Sequence, residues 1–458
     1  MKVWIAKWAV AALMLLGVTG CGMGASPVDL LKAPSTSKSL LQIKQAVESF
    51  LPAGSSLTIA MVAKQTTGSI YEEDLDGDGT SEAVALYRNE RNNFEQGALV
   101  LKQVNGVWQK WDDLKELTPD IHYIDFQDVT GDGNPDLLIG WGSADPMTER
   151  TLSVYAVRSG QLAQIGKMSY SEIAVDDFDL DRTADIMLFH ASDSSAPRKA
   201  SVELYQWSGM EIYLADKKAV DISVNSFSDV SVGKATATRT AVFAEALLGA
   251  HSSYTGLFVA EKGRLKEIFP LTYAGSKTFK AYPTLSKDIN GDGIVEIDLL
   301  REPADSSGVS MAEMPWIHDW YQWDGDKGLL PVFQNYYDYQ AGFQFDFPME
   351  WYNRITIKRT GDQGKDTTFY MLTKDKAVAE LLTIRAIDNA EWDAARTAFE
   401  AGGIEYETLM ESDETNYVAV WPQSQPSQLS DEELADYNRM KVQVGTTNRY
   451  FRSMLVGS

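Results

Sequence analysis

The stretch Asp128-Val-Thr-Gly-Asp-Gly-Asn-Pro-Asp136, with the apolar run Leu137-Leu-Ile-Gly140 directly behind it, decides how the chain reads. Alternating acids around glycines make a tight turn, and a short apolar run bounded by such a turn has the length of a strand. The same nine-residue pattern returns without gaps as Asp74-Leu-Asp-Gly-Asp-Gly-Thr-Ser-Glu82, Asp177-Phe-Asp-Leu-Asp-Arg-Thr-Ala-Asp185 and Asp288-Ile-Asn-Gly-Asp-Gly-Ile-Val-Glu296. The copies start at residues 74, 128, 177 and 288, intervals of 54, 49 and 111, the last about two periods. A degenerate fifth copy, with most acids lost, is expected at Phe227-Ser-Asp-Val-Ser-Val-Gly-Lys234. About 25 residues after each loop comes a second pattern, two short strands around a turn: Asn105-Gly106, Ser159-Gly160, Ser208-Gly209, Lys262-Gly263 and Asp324 to Gly328. Four strands per unit, repeated at this period, predict a mainly β chain with a β-propeller of about five four-stranded blades.

This unit resembles the FG-GAP type repeat, also grouped with VCBS repeats, of integrin α-chain propellers and bacterial surface proteins. The resemblance covers residues 57–335, with the four acidic loops as its specific part. It departs from the family in lacking a Phe-Gly-Gly-Ala-Pro sequence and in having five units where integrin propellers have seven.

Oxygens at loop positions 1, 3, 5 and 9, with a backbone carbonyl at 7, suit a cation of calcium's size, and glycine at 6 permits the sharp turn. Loop one offers Asp74, Asp76, Asp78, Thr80 and Glu82; loop two Asp128, Thr130, Asp132, Asn134 and Asp136. Loop three offers Asp177, Asp179, Asp181, Thr183 and Asp185; loop four Asp288, Asn290, Asp292, Ile294 and Glu296. Loop three ranks weakest, because Arg182 stands where glycine is wanted and its guanidinium is placed to neutralise the acids in place of an ion. An EF-hand needs a bidentate Glu at position 12, whereas Ala85, Ile139, Leu188 and Leu299 stand there inside strand-like runs. Two to four structural calcium ions are the expectation.

Elsewhere the sequence bears on location and on what is excluded. Lys2, Lys7 and the apolar stretch Trp8 to Val18 have the layout of an export signal over residues 1–20. The junction Val18-Thr-Gly-Cys21 resembles the bacterial lipoprotein signal, which implies acylation of Cys21 and anchoring to the outer face of the cell membrane. Residues 21–56 read as a tether followed by a helix from Ser39 to Phe50. A lone cysteine excludes an internal disulfide framework, a thiolate zinc site and an iron–sulfur cluster, and 65 acidic against 41 basic residues argue against a nucleic-acid partner.

Residues 342–458 read as an α+β domain, with helices at Glu391 to Ala401 and after the capping-box-like Ser430-Asp-Glu-Glu433. Its opening, Gly342 to Trp351, resembles domains that end many Gram-positive lipoproteins. His122, His190, His251 and His318 are dispersed, and no nucleophile elbow, phosphate loop or dinucleotide fingerprint is present. The aromatic residues Trp316, Trp320, Tyr321, Trp323, Tyr336, Tyr337, Tyr339 and Trp351 read first as packing and second as an interaction surface. The expectation is therefore a non-enzymatic envelope module binding protein or glycan. A carbohydrate-active hydrolase and a purely structural component are the alternatives.

Overall fold

The computed structural model describes residues 38–63, 67–89, 91, 95–145, 148–193, 199–272, 275–361, 364–374, 376–427 and 429–454. The export signal, Cys21 and the tether lie outside the described residues. The chain is mainly β: among the described residues its strands form six sheets, none closed on itself, built largely from antiparallel neighbours in sequence.

One compact unit holds residues 38–59, 68–73 and 80–116. Its helix α1, Lys38–Phe50, buries Ile43 and Val47, four residues apart and so on one face, against Ala83, Ala85, Tyr87, Leu99 and Leu101 of the first sheet. In that sheet Glu82–Asn89 pairs on one side with Glu95–Val104, which leads to Val107–Leu117. On its other side it takes Ser55–Leu57 and Ile70–Glu73 in succession along one edge. The turn between the last two strands has Asn105 at φ 52° and Gly106 at φ 77°, the paired left-handed conformation that matches the strands' twist.

The second unit holds 60–67, 74–79 and everything from residue 117 on. The second sheet runs Ile121–Gln127, Asp136–Trp141, Arg150–Arg158 and Gln161–Tyr170, with Val62–Ala63 added parallel to its first strand. The third runs Glu172–Asp176, Asp185–His190, Ser201–Trp207 and Ile212–Ala219; the fourth Val224–Thr236, Arg239–Leu248, Ser252–Glu261 and Arg264–Glu267. Alternate residues of each strand face opposite sides, so the third and fourth sheets each contribute to two cores. Tyr123, Leu138 and Val154 meet Ile173, Ile186 and Leu188 between sheets two and three. Met187, Phe189 and Val202 meet Val242, Tyr254 and Phe258 between three and four. Phe243, Leu257 and Val259 meet Ile297 and Trp323 between four and five.

The degenerate fifth loop is corrected by the structure. Residues 227–234 lie inside the continuous 13-residue strand Val224–Thr236, which turns at 237–238 into its neighbour. With Val230 and Val232 where the other copies carry turn-forming residues, the segment alternates as a strand and has nothing to reverse it.

The fifth sheet orders Ile297–Arg301, Ile317–Trp323, Leu329–Asp338, Phe343–Asp346 and Phe451–Ser453, so the last described strand returns to close its edge. The sixth orders Ile355–Thr360, Asp366–Thr373, Lys376–Asp388, Thr415–Val420 and Tyr406–Glu411. Helix α2, Asn389–Gly402, and helix α3, Asp431–Met440, complete this region. The expected capping box is present at α3: Ser430 Oγ accepts from the Glu433 N–H at 3.4 Å, and a Glu433 carboxylate oxygen accepts from the Ser430 N–H at 2.8 Å. A shared core of Tyr336, Phe345, Trp351, Phe369, Leu382 and Tyr417 joins the fifth and sixth sheets.

Candidate functional site

One bond recurs in all four acidic loops and two more in loops two, three and four. The position-1 carboxylate accepts from the N–H at position 6: Gly79 to Asp74 at 2.9 Å, Gly133 to Asp128 at 2.8 Å, Arg182 to Asp177 at 2.9 Å and Gly293 to Asp288 at 2.8 Å. In loops two, three and four the position-5 acid accepts from position 7: Asn134 to Asp132 at 2.9 Å, Thr183 to Asp181 at 2.8 Å and Ile294 to Asp292 at 2.8 Å. The position-9 acid of the same loops reaches back to position 2: Val129 to Asp136 at 3.0 Å, Phe178 to Asp185 at 3.2 Å and Ile289 to Glu296 at 2.9 Å. These bonds hold the carboxylates in a turn whose backbone amides they satisfy.

Two residues per loop adopt positive φ. Position 6 is left-handed as expected, and position 4 is too: Gly77 at 71°, Gly131 at 69°, Leu180 at 65° and Gly291 at 80°. Glycine at position 4 of three copies was the sequence signal for this second turn. Loop three meets both demands with Leu180 and Arg182, the latter at 74°.

The loops bring three sets of acids together. Within each of Asp74, Asp76 and Asp78; Asp177, Asp179 and Asp185; and Asp288, Asp292 and Glu296, one ligand oxygen per residue lies within 4.8 Å of the others. These clusters are able to hold a metal ion. Loop three, ranked weakest, brings its acids together although glycine is missing. Among the described residues no ion pair joins the exposed Arg182 guanidinium to them. Among the described residues loop two, ranked higher, does not gather Asp128, Asp132 and Asp136 into such a cluster, although loop four, also without an acid at position 3, does. Glu82 opens the strand Glu82–Asn89 of the first unit, buried and paired in register with Glu73, and Thr80 precedes it. Ala85, Ile139, Leu188 and Leu299 all lie in strands, which excludes an EF-hand.

Two observations test whether a cation fits. Asp74 Oδ1 and Asp179 Oδ1 are buried with no hydrogen-bond partner, one in each of two clusters. Burial also pushes the position-9 carboxyls up: Asp136 and Asp185 to about 7, and Glu296 above its ordinary range. Crowded, desolvated acids of this kind favour a positive charge among them.

Sequence reading missed two glutamines. Gln206 Nε2 donates to Asp179 at 3.1 Å and Asp185 at 2.8 Å, and Gln322 Nε2 donates to Asp292 at 2.7 Å and Glu296 at 2.8 Å. Each sits one strand over from its loop in the repeated triplet Tyr-Gln-Trp, at 205–207 and 321–323, which was the available signal.

The aromatic residues divide. Trp320, Trp323, Tyr336 and Trp351 are buried, and Trp351 donates to the Met440 carbonyl at 2.7 Å. Tyr337 and Tyr339 instead line a cavity with Tyr282, Trp316, His251 and His318, two of the dispersed histidines. His122 and His190 are buried elsewhere, His122 Nδ1 lying 3.0 Å from the Tyr170 hydroxyl and His190 3.1 Å from Glu203.

No family model matches the sequence, and no curated protein does. Solved structures do show likeness. Rhamnogalacturonan lyase PL11 of Bacillus licheniformis is 13% identical, over 55% of this chain and 59% of that one, with a TM-score of 0.30. The exotype rhamnogalacturonan lyase YesX is 14% identical, over 68% of this chain and 61% of that one, at 0.26. A protein from Lactobacillus plantarum is 9% identical, over 65% and 80%, at 0.30. The chain thus spans 59% and 61% of the two lyases it matches. The expectation of a non-enzymatic chain is corrected on this point, since two of these three structures are enzymes; the lyase activity is a property of those proteins.

Proposed function

We propose that the acidic loops hold calcium as a structural ion, and that the chain is an FG-GAP/VCBS-like propeller of about five blades with a C-terminal α+β domain. Exported and anchored through lipid on Cys21, it presents this calcium-braced scaffold at the outer face of a bacterial membrane to a protein or glycan. The observation that carries the calcium reading is the convergence of three acid clusters, two of them with a buried oxygen that no protein donor reaches. Hard carboxylate and carbonyl oxygens, without sulfur or imidazole, suit calcium and disfavour zinc and copper. The serial stacking of four-stranded units through shared cores, and the return of the last strand to the fifth sheet, support the propeller reading.

Calorimetric titration of the full chain with calcium, with thermal melts in calcium and in chelator, tests this. Saturable binding with a dissociation constant of roughly 10⁻⁴ to 10⁻³ M and a melt raised by calcium is expected. The variant Asp76→Asn/Asp179→Asn/Asp292→Asn keeps the turns but removes charge from each cluster, and both effects should shrink in it. Identical melts and no binding at several millimolar calcium would overturn the calcium reading.

A further inference from the structure

We propose that the aromatic cavity of the second unit is a binding site for a neutral saccharide. The cavity measures about 540 Å³, within the range of small-molecule sites. Its rings offer flat platforms. Tyr337 and Tyr339 lie nearly parallel, 18° apart with centroids at 5.9 Å, and Tyr282 meets Trp316 edge-on at 5.9 Å. Tyr339 is 71% exposed, so this face is open to solvent. Parallel, amphipathic ring faces suit the C–H face of a pyranose, whereas a box of faces converging on one point would suit a quaternary ammonium.

The polar part of the wall orients such a ring. His318 Nδ1 lies 2.7 Å from Asp298 Oδ2, both side chains being at least nine-tenths buried, and Asp298 Oδ1 is buried with no partner. The Nδ1 contact with Asp298 fixes the imidazole plane and leaves Nε2 to meet a sugar hydroxyl. His251 adds a second imidazole at the cavity. No lysine or arginine lines it; Lys287 at its edge is engaged over the Tyr337 and Trp320 rings, at 5.7 and 5.3 Å, and the chain's net charge of −24 disfavours an acidic sugar. The proposal rests on the reading of the chain as a binding scaffold, and none of its residues belongs to an acidic loop.

The test is a titration of the full chain, followed by aromatic fluorescence and calorimetry, with maltotriose, cellotriose and chitotriose as neutral probes, trigalacturonate as the acidic one and choline as the cationic one. At least one neutral trisaccharide should bind saturably. Tyr339→Ala, at an exposed position, should weaken binding about tenfold or more, and His318→Gln should weaken it while Tyr213→Ala, exposed on another sheet, leaves it unchanged. Binding of trigalacturonate or choline in preference to the neutral sugars, no binding of any neutral probe at about 10 mM, or binding unaffected by Tyr339→Ala would overturn the proposal. Saccharide binding without a calcium effect would overturn only the calcium reading, and a calcium effect without saccharide binding only this one.

Discussion

Gln206 and Asp185 face each other across adjacent strands, and the Gln206 amide reaches the buried Asp185 carboxylate at 2.8 Å while also holding Asp179. Gln322 repeats the arrangement in loop four. Each amide donates to a position-9 carboxylate, Asp185 or Glu296, that burial makes costly to ionise, so the amides matter most when no cation is present. Gln206→Ala should destabilise the chain by about 1.5–3 kcal/mol in chelator and by less in saturating calcium. Urea denaturation under both conditions checks this; an equal loss in both would disconnect the glutamine from the ion.

Neighbouring loops nest through a position-4 glycine. A Cβ on Gly77 would stand 2.4 Å from Asn134 Oδ1, and one on Gly131 would stand 2.8 Å from Thr183 Oγ1, the same pair of loop positions one repeat later. Gly77→Ala therefore adds a clash to a φ of 71° and should cost about 2–3 kcal/mol. Gly79→Ala, at φ 85° with open space around it, should cost about 1 kcal/mol. Asn134→Gly added to Gly77→Ala should recover the difference, as a double-mutant cycle would show.

Arg182 occupies a left-handed position that glycine takes in the other three loops. Arg182→Gly should stabilise the chain by about 1 kcal/mol, since the strain of a Cβ there outweighs the extra freedom glycine gives the unfolded chain. Thermal melts decide it; a lowered melting temperature would mean that the exposed guanidinium contributes more than the strain costs.

Lys280 and Glu245 form a fully buried ion pair at 2.7 Å. Glu245 also accepts from Thr255 Oγ1 and Ser286 Oγ, and Lys280 donates to the Thr284 carbonyl, so the lone pairs and protons are largely spent. Lys280→Met should cost about 3–5 kcal/mol by stranding the carboxylate. Lys280→Met/Glu245→Leu should recover much of that, and chemical denaturation of the three variants measures it.

Burial, helped by the Arg150 charge, pushes the His122 imidazole down to about 4 from an ordinary 6.5. Between those values the unfolded chain binds a proton that the folded chain does not, so stability falls as pH drops from 6.5 towards 4 and is indifferent to this group above 6.5. The contribution reaches about 3 kcal/mol at the lower end. In His122→Gln the difference in unfolding free energy between pH 7.5 and pH 4.5 should shrink by about 2 kcal/mol, measured by urea titration at each pH. An unchanged difference would show that His122 titrates normally.

Four of the loops, with their turns and flanking strands, were legible in the chain alone, because a nine-residue acidic loop between apolar runs is a local instruction. Asp128 and Gly133 are five residues apart, and Asn105-Gly106 sets its own hairpin through φ alone. The capping box of Ser430 and Glu433 was legible for the same reason. Which acids meet is set by the packed fold. Loop three converges without glycine, while residues 227–234 run on as strand through a register shift at Phe227/Asp229. Gln206, Gln322 and the union of His251 and His318 in one cavity join residues far apart in the chain. Such contacts are fixed by how strands pair and sheets stack, a long-range choice that local periodicity does not encode.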